Sequence, residues 1–408
     1  MSRPERGCRP AGPVLIGSEI YRQSIYGDHA RGQGGAPDQG GAPDQGSAAN
    51  AAGPDANGAR HPLAIPRVSL TIDLLRALGW LPDNAYLDSL QATPQQLARF
   101  HDPDYVAAVM AAEASGRAAP EVRERYNIGR AGNPIYPEMF RRPATACGAS
   151  IQAAGLLRHG GIVHSLAGGT HHGLRDRASG FCVFNDPVLA LLALLDGGLE
   201  RVAYLDIDAH HGDGVEIAFA GDPRILFLSV HERDRWPFTG LLPRSPCGQL
   251  RNFAVPAGMN DSEMRHLCDA AFLPLLSRFR PQAIVLQCGA DALADDPLSK
   301  QMLSNNAHWH VVRQVRPLSP RLLVLGGGGY NPWSVARCWA GVWAVLNDLA
   351  VPDRLPEAAE ALLRRVTWRR SQGRNPPAHW FETLQDRPNE GPIRDEVRQL
   401  VAAQAIPA

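Results

Sequence analysis

The sequence lacks several features that define large classes of protein. No run comes near the roughly 20 apolar residues that a membrane-spanning helix needs, and the first residues, MSRPERGCRP, have no apolar core of a signal peptide. Lysine is almost missing, because Lys300 is the single lysine and every other basic side chain is arginine. Because the sequence has neither a membrane-spanning run nor the apolar core of a signal peptide, we predict a cytoplasmic protein that has no membrane partner.

An excess of charge of either sign is also missing. Lysine plus arginine and aspartate plus glutamate both number 41, so the formal net charge is zero, and the arginines are scattered. This pattern argues against direct binding to nucleic acid, which favours clustered basic residues. The seven cysteines include no C-x-x-C pair. An odd number of cysteines without such pairs is typical of reduced thiols and not of a disulfide framework.

The composition is that of an ordinary folded protein of 408 residues, with 44% hydrophobic and 20% charged residues. Residues 1–26 contain the strand-like VLIGSEIY, and residues 27–60 contain the tandem GGAPDQ-GGAPDQ. We expect 27–60 to be a disordered insertion, because it offers little apolar surface for a core. Residues 61–350 show no linker and are expected to form one domain, followed by a helical tail at 351–408.

Four short apolar runs, rich in Val, Ile and Leu, have the pattern of buried parallel strands. They are RVAYLDID, RILFLSVH, AIVLQCGAD and RLLVLGGGG, and GIVHSLAGG precedes them as a further candidate. Helical segments at Pro187–Leu195, Ser262–Phe279 and Pro332–Leu349 alternate with these runs. The alternation predicts an α/β fold with a central parallel sheet and helices on both faces.

Residues that could bind a metal or take part in catalysis follow these runs, at the strand ends where ligands of open α/β sheets bind. They are His171 and His172, then Asp206, Asp208, His210, His211 and Asp213, then Ser229 and His231, then Asp291, and finally Tyr330. Five strand ends thus bring carboxylates, imidazoles and a phenol toward one edge of the sheet.

The spacing in DIDAHHGDG indicates a metal site. Asp206, Asp208 and His210 are two residues apart, so an extended backbone turns their side chains to one side. Asp208 and His210, together with the distant Asp291, offer two oxygens and one nitrogen, which suits zinc with an open fourth position. Iron, cobalt and manganese remain compatible with this donor set. Asp213 alone is equally well explained as a helix cap.

Two pairs of adjacent histidines occur. His171 and His172 follow a Gly-Gly that lets the backbone approach a ligand closely, which makes them candidates for catalysis. We interpret His211, in the second pair, as structural.

The ordered motifs AGGTHH, GFCVFND, YLDIDAHHGDG, GAD and GGGGY resemble those of histone deacetylases, and DALADDPL resembles the bacterial acetoin-utilisation branch. The resemblance spans roughly Val14 to Leu349 and implies an arginase-like α/β fold for a zinc-dependent deacetylase domain. It implies hydrolysis of N-acetyl-lysine amides in proteins, which releases acetate and free lysine.

The resemblance also assigns roles to residues. It implies that Asp208, His210 and Asp291 hold one Zn²⁺, and that His171 and His172 form a catalytic pair with Asp206 and Asp213 as their carboxylate partners. Tyr330 matches the phenol that binds the acetyl carbonyl. Further matches are Gly180, Phe181 and Trp236 in the acyl-lysine tunnel, Leu298 at its gate, Arg67 near an acetate exit, and a K⁺ or Na⁺ site near Asp206, Asp208, His210 and Ser229.

Three alternatives remain open from the sequence. A small-molecule amidohydrolase, such as an acetylpolyamine deacetylase, would use the same metal site with a different tunnel mouth. A non-catalytic module that binds acyl-lysine would tolerate loss of Tyr330 or a metal ligand, but all of these residues are present. A structural zinc site would favour cysteine ligands. The substrate is therefore an acetylated protein or a small acetylated amine, and the sequence leaves the oligomeric state undefined.

Overall fold

Eight parallel strands form a single sheet at the centre of the computed structural model, which describes residues 12–22, 61–130, 132–242 and 249–404. The strand order is β2-β1-β3-β8-β7-β4-β5-β6. The strands are β1 Val14–Gly17, β2 Tyr86–Asp88, β3 Gly161–Ser165, β4 Val202–Asp206, β5 Ile225–Glu232, β6 Leu250–Val255, β7 Ala283–Gln287 and β8 Arg321–Leu325.

The predicted strands are present. The four apolar runs form β4, β5, β7 and β8, and GIVHS forms β3. Two strands were missed in the sequence, and both lie at the edges of the sheet. β2 has only three residues, none of them fully buried, and β6 carries Arg251 and Asn252 among its apolar residues. Neither segment shows the continuous apolar pattern of a central strand.

Helices cover both faces of the sheet, as predicted. Along β4, Ala203 and Leu205 pack into one apolar cluster, whereas Val202 and Tyr204 pack into a second cluster on the opposite face. The helices are α1 Arg67–Ala77, α2 Pro94–Leu97, α3 Pro103–Ser115, α4 Pro120–Tyr126, α5 Arg141–Leu156, α6 Asp186–Asp196, α7 Asp213–Phe219, α8 Asp261–Leu267, α9 Leu273–Phe279, α10 Asn305–Val315, α11 Pro332–Leu346, α12 Glu357–Arg364, α13 His379–Glu382 and α14 Asp395–Gln404.

The segment predicted as one helix over Ser262–Phe279 is interrupted. A π-turn at Cys268–Phe272 joins α8 to α9. Pro274 accounts for this break, because proline has no N–H to donate to the preceding turn.

The C-terminal tail packs on the same core as the sheet. The rings of Trp333 on α11 and Trp380 on α13 stack with their centroids 5.1 Å apart, and Val397 of α14 belongs to the larger apolar cluster. The predicted insertion at 27–60 lies outside the described residues. Among the helices of the described segments, none has the length and apolar character needed to cross a membrane.

His164 on β3 is a buried polar side chain in the core. Its ring stacks on Trp343 with a centroid distance of 6.4 Å, and neither ring nitrogen has a hydrogen-bond partner within the described chain. Burial lowers the pKa of His164 to about 3. Because an unfolded histidine titrates near pH 6.5, the unfolded chain binds the extra proton between these pH values. His164 therefore makes the protein less stable as the pH falls from about 6.5 toward 3.

Replacing His164 with phenylalanine is expected to stabilise the protein, because the ring stacking is kept and two unpaired buried nitrogens are removed. We expect the free energy of unfolding to rise by about 1 kcal/mol at pH 7, and by about 2 kcal/mol more at pH 5. Urea unfolding at both pH values measures this, with a substitution at the exposed His159 as control. A His164→Phe variant no more stable than the parent at pH 5 would contradict the interpretation.

Candidate active site

The carboxyl ends of five strands meet at one edge of the sheet and carry the side chains singled out in the sequence. His171 and His172 follow β3, Asp208 and His210 follow β4, and Asp291 follows β7. Asp206 ends β4, Ser229 and His231 lie in the last part of β5, and Tyr330 follows β8.

Asp208, His210 and Asp291 form a buried donor set. One ligand atom of each lies within 4.8 Å of the others. His210 Nδ1 is 2.9 Å from Asp291 Oδ2 and 3.3 Å from Asp208 Oδ1. Burial lowers the pKa of His210, but Asp291 and Asp208 outweigh it and raise the pKa to about 10. The site therefore favours a positive charge, and its two carboxylates and one imidazole fit a zinc ion that keeps a position open.

Glycines let two loops approach these donors closely. A Cβ atom on Gly289 would lie 2.0 Å from Asp208 Oδ2, and one on Gly328 would lie 1.9 Å from Asp291 Oδ2. The Gly328 N–H donates a 2.7 Å hydrogen bond to Asp208 Oδ2. The glycine run before Tyr330 is thus required for packing against the donor set.

His171 and His172 are each paired with a carboxylate. His171 Nδ1 is 2.8 Å from Asp206 Oδ2, His172 Nδ1 is 2.7 Å from Asp213 Oδ1, and the two Nε2 atoms are 2.9 Å apart. Asp213 is the first residue of α7, and the N-cap position of that helix is Gly212. It contacts His172 instead.

The two imidazoles titrate in different ranges. Burial lowers the pKa of His171, but Asp206 and Asp208 outweigh this and raise it to about 9. Burial, and then the charge of His171, lower the pKa of His172 to about 4. At neutral pH the pair therefore holds a protonated His171 beside a neutral His172, and the Nε2–H of His171 donates a hydrogen bond to the Nε2 of His172.

Two groups that position this pair were missed in the sequence. The Tyr204 hydroxyl donates to Asp206 Oδ2 at 2.8 Å, and Gln287 Nε2 lies 2.8 Å from His171 Nδ1. Tyr204 precedes Asp206 by two residues on β4, and Gln287 is opposite Asp206 in the β4–β7 register. The pairing of β4 with β7 is what brings Gln287 next to Asp206. A single sequence does not reveal that pairing.

Asp186 was also missed, although it lies in the GFCVFND motif. Its buried carboxylate accepts hydrogen bonds from the backbone N–H groups of Gly169 and Thr170, at 2.9 and 2.8 Å, and from the Ser150 hydroxyl at 2.6 Å. These bonds fix the turn that immediately precedes His171.

Phe181 and Trp236 lie beside the histidine pair and the phenol. The Trp236 ring centroid is 4.6 Å from that of His172, and the Phe181 ring centroid is 6.0 Å from that of Tyr330. Gly180 has a φ of +52°, and a Cβ atom there would lie 2.3 Å from the Trp236 ring. His61, which the sequence did not single out, contacts Phe181 at 4.7 Å between ring centroids.

Tyr330 and Leu298 are held by the same carboxylate. Asp296 accepts the backbone N–H of Tyr330 at 2.6 Å and that of Leu298 at 2.9 Å. The Leu298 carbonyl accepts a further bond from Arg235 at 3.0 Å. Burial, then Asp291 and Asp208, raise the pKa of Tyr330 well above its usual value, so its hydroxyl remains protonated and is a hydrogen-bond donor.

Arg67 lies behind the glycine run. Its guanidinium donates to the carbonyl of Gly327 at 2.8 Å and to that of Gly329 at 3.2 Å. It lines a cavity of about 90 Å³, together with Tyr21, Tyr136, Thr170 and Phe181 among others.

Ser229 and His211 lie outside the donor set. The buried Ser229 is opposite Asp206 in the register of β4 and β5, and its hydroxyl is 3.0 Å from His231 Nδ1. His211 contacts Glu216 at 3.0 Å and Thr239 at 2.8 Å through its two ring nitrogens.

Known proteins are similar to this chain in sequence. Residues 61–346 match the histone deacetylase domain. The chain is 37% identical over 312 residues to histone deacetylase 19 of Arabidopsis thaliana, over 74% of this chain and 61% of that protein. It is 32% identical over 310 residues to the acetoin utilization protein AcuC of Bacillus subtilis (strain 168), over 72% and 80%.

Solved structures are similar over nearly the whole chain. A histone deacetylase homologue from Aquifex aeolicus has a TM-score of 0.83 at 31% identity, over 96% of this chain and 99% of that one. A homologue crystallised with SAHA has a TM-score of 0.84 at 32% identity, with the same coverage.

The matching domain and the solved structures define the same class of α/β protein, built on one parallel sheet. The chain belongs to the histone deacetylase family, and it spans about three fifths of the length of the Arabidopsis relative.

Proposed function

We propose that this protein hydrolyses the N-acetyl amide of acetylated lysine side chains in proteins, and that Asp208, His210 and Asp291 hold the zinc ion that the reaction needs. The observation that carries the proposal is the buried donor set beside a neutral histidine, His172, and a protonated phenol, Tyr330. We retain the cytoplasm as the predicted location.

A zinc ion held by Asp208, His210 and Asp291 would supply Lewis-acid chemistry, which polarises an amide carbonyl and makes water more acidic. The Nε2 of His172 carries no proton, and it would exchange its hydrogen bond from His171 for one from the attacking water. It would then take the proton of that water and later deliver it to the leaving amine. The carboxylate of Asp213 accepts from His172 Nδ1 and stabilises the imidazolium that forms. His171, held by Asp206, orients the water and offsets negative charge.

Tyr330 stabilises the oxygen that becomes negative as the water attacks. Its raised pKa keeps the proton on the phenol, so the hydroxyl donates to that oxygen. Such a donor contributes about 3–4 kcal/mol to the stability of a transition state.

The surrounding side chains suit an acyl-lysine stem. Phe181 and Trp236 offer aromatic walls for the apolar methylene groups, and Leu298 stands at the rim. The cavity lined by Arg67 would accept the acetate product, because its guanidinium complements a carboxylate. We also propose a structural K⁺ or Na⁺ near the backbone of Asp206, Asp208 and His210, where the buried Ser229 hydroxyl lies opposite Asp206.

Two carboxylates near Leu298 support a protein substrate over a polyamine. The carboxylate of Glu232, the last residue of β5, is engaged by Arg235 at 2.8 Å and by the backbone N–H of Lys300 at 2.8 Å. Asp296 is likewise occupied by two backbone donors. Neither carboxylate is therefore available to attract a polycation.

Hydrolysis of an acetyl-lysine peptide and of an acetylpolyamine, measured side by side with zinc-loaded protein, tests this function. We expect faster cleavage of the peptide and none by the Asp208→Ala variant. A preference for the polyamine would replace the proposal with a small-molecule amidohydrolase. Cleavage of neither substrate, with tight binding of the acetyl-lysine peptide, would indicate a non-catalytic binding module.

A further inference from the structure

A second group of metal-ligand side chains lies outside the active site. Cys268 and Asp269 begin the π-turn between α8 and α9, and His310 lies on α10. One ligand atom from each lies within 4.8 Å of the others. We propose that these three residues form a second metal site, which binds zinc or a similar divalent transition metal through a thiolate, an imidazole and a carboxylate.

The distance between the proposed histidine and aspartate ligands is close to the distance between two ligand atoms around a bound zinc ion. Zinc bonds of about 2.3 Å to sulfur and about 2.0–2.2 Å to nitrogen and oxygen place tetrahedral ligands roughly 3.3–3.6 Å apart. His310 Nε2 is 3.6 Å from Asp269 Oδ1. Small side-chain rotations would complete three ligand bonds, and the exposed position of Asp269 leaves the fourth position to water.

The imidazole supports a ligand independently. His310 Nε2 is shielded from solvent and has no hydrogen-bond partner within the described residues, and its 3.6 Å approach to Asp269 is too long for a hydrogen bond. A shielded nitrogen without a partner destabilises a fold. A metal bond to Nε2 would remove that cost.

The chemistry of Cys268 sets the conditions for binding. The side chain is buried, and a thiol binds a metal only as the thiolate. The metal must therefore displace the thiol proton, so that binding releases one proton and becomes tighter as the pH rises. A mixed sulfur, nitrogen and oxygen set favours zinc or cobalt over the oxygen-preferring magnesium and calcium.

The site would join two helical segments beside the catalytic edge. His308, two residues before His310 on α10, has its Nε2 2.7 Å from the Gly289 carbonyl, and Gly289 lies two residues before Asp291. A metal at His310 would hold α10 against the α8–α9 segment. We therefore expect the ion to stabilise the fold and not to take part in the reaction.

Sulfur makes this site distinguishable from the catalytic one. Asp208, His210 and Asp291 supply no sulfur, so a thiolate-to-cobalt charge-transfer absorption band reports a cysteine site alone. The experiment adds Co²⁺ to the metal-free, full-length protein at mildly alkaline pH. We expect the band in the parent protein and in the Asp208→Ala variant, and we expect Cys268→Ser to abolish it.

Matched variants make the result decisive. Cys247→Ser, which changes a cysteine elsewhere in the chain, should keep the band, and His310→Gln should weaken it or shift it. In the Asp208→Ala background, Zn²⁺ should raise the melting temperature, and additional Cys268→Ser should remove that increase. A band that survives Cys268→Ser, or no band at any Co²⁺ concentration, would overturn the proposal. Peptide hydrolysis by the zinc-loaded Cys268→Ser variant should remain unchanged, so the result does not depend on the proposed deacetylase activity.

Discussion

Replacing Tyr330 with phenylalanine is expected to leave the protein folded and to lower kcat for acetyl-lysine hydrolysis by about 10²–10³-fold, because one donor to the oxyanion is lost. The ring would keep its contact with Phe181. Asp296 would keep its bond to residue 330, because that bond involves the backbone N–H. Steady-state kinetics on an acetyl-lysine peptide, with KM and kcat determined separately, measure the effect.

The loss should appear in kcat, because the hydroxyl acts mainly on charge that develops in the transition state. Tyr126→Phe is the matched control, since Tyr126 is buried on α4 and outside the active site. A Tyr330→Phe variant with normal kcat would refute the role given to the phenol.

Replacing Asp208 with asparagine is expected to remove the catalytic metal and the activity together. Asparagine has the same size and can still accept the hydrogen bond from Gly328, but it replaces a charged ligand by a neutral one. We expect hydrolysis to fall by about 10³-fold or more, because the stabilisation that a Lewis acid gives is worth several kcal/mol.

Metal content identifies the cause of the loss. In a Cys268→Ser background, which removes the second proposed site, metal analysis after dialysis should fall from one equivalent to almost none on adding Asp208→Asn. The exposed Asp83→Asn should change neither quantity. Full metal content in the Asp208→Asn protein would show that Asp208 is not a ligand.

Much of the fold could be predicted because the central strands have a distinctive sequence pattern. β4, β5, β7 and β8 are continuous apolar runs that end in polar residues, and parallel strands bring such ends to one edge. β2 and β6 lie at the edges of the sheet. Their pairing depends on neighbours that are far away in the sequence.

Some residues of the site can likewise be predicted from the sequence, and others cannot. Metal donors and adjacent histidines are recognisable from residue type and spacing. Asp186 and Asp296 act by accepting backbone N–H groups from other loops, and any carboxylate in the chain could do so until the fold selects its partners. Trp236 follows β5 in the segment RDRWPFTG, and the tertiary structure places its ring beside His172.

The carboxylate of Asp296 has a consequence for protein engineering. Because its two oxygens hold residues 298 and 330 at once, the proposed substrate rim and the proposed oxyanion donor share one support. Changes to residues 295–298 intended to broaden specificity will therefore shift kcat as well as KM. Evolution of new substrate preferences at this rim is constrained in the same way, and substitutions at Phe181 or Trp236 offer a route that leaves Tyr330 in place.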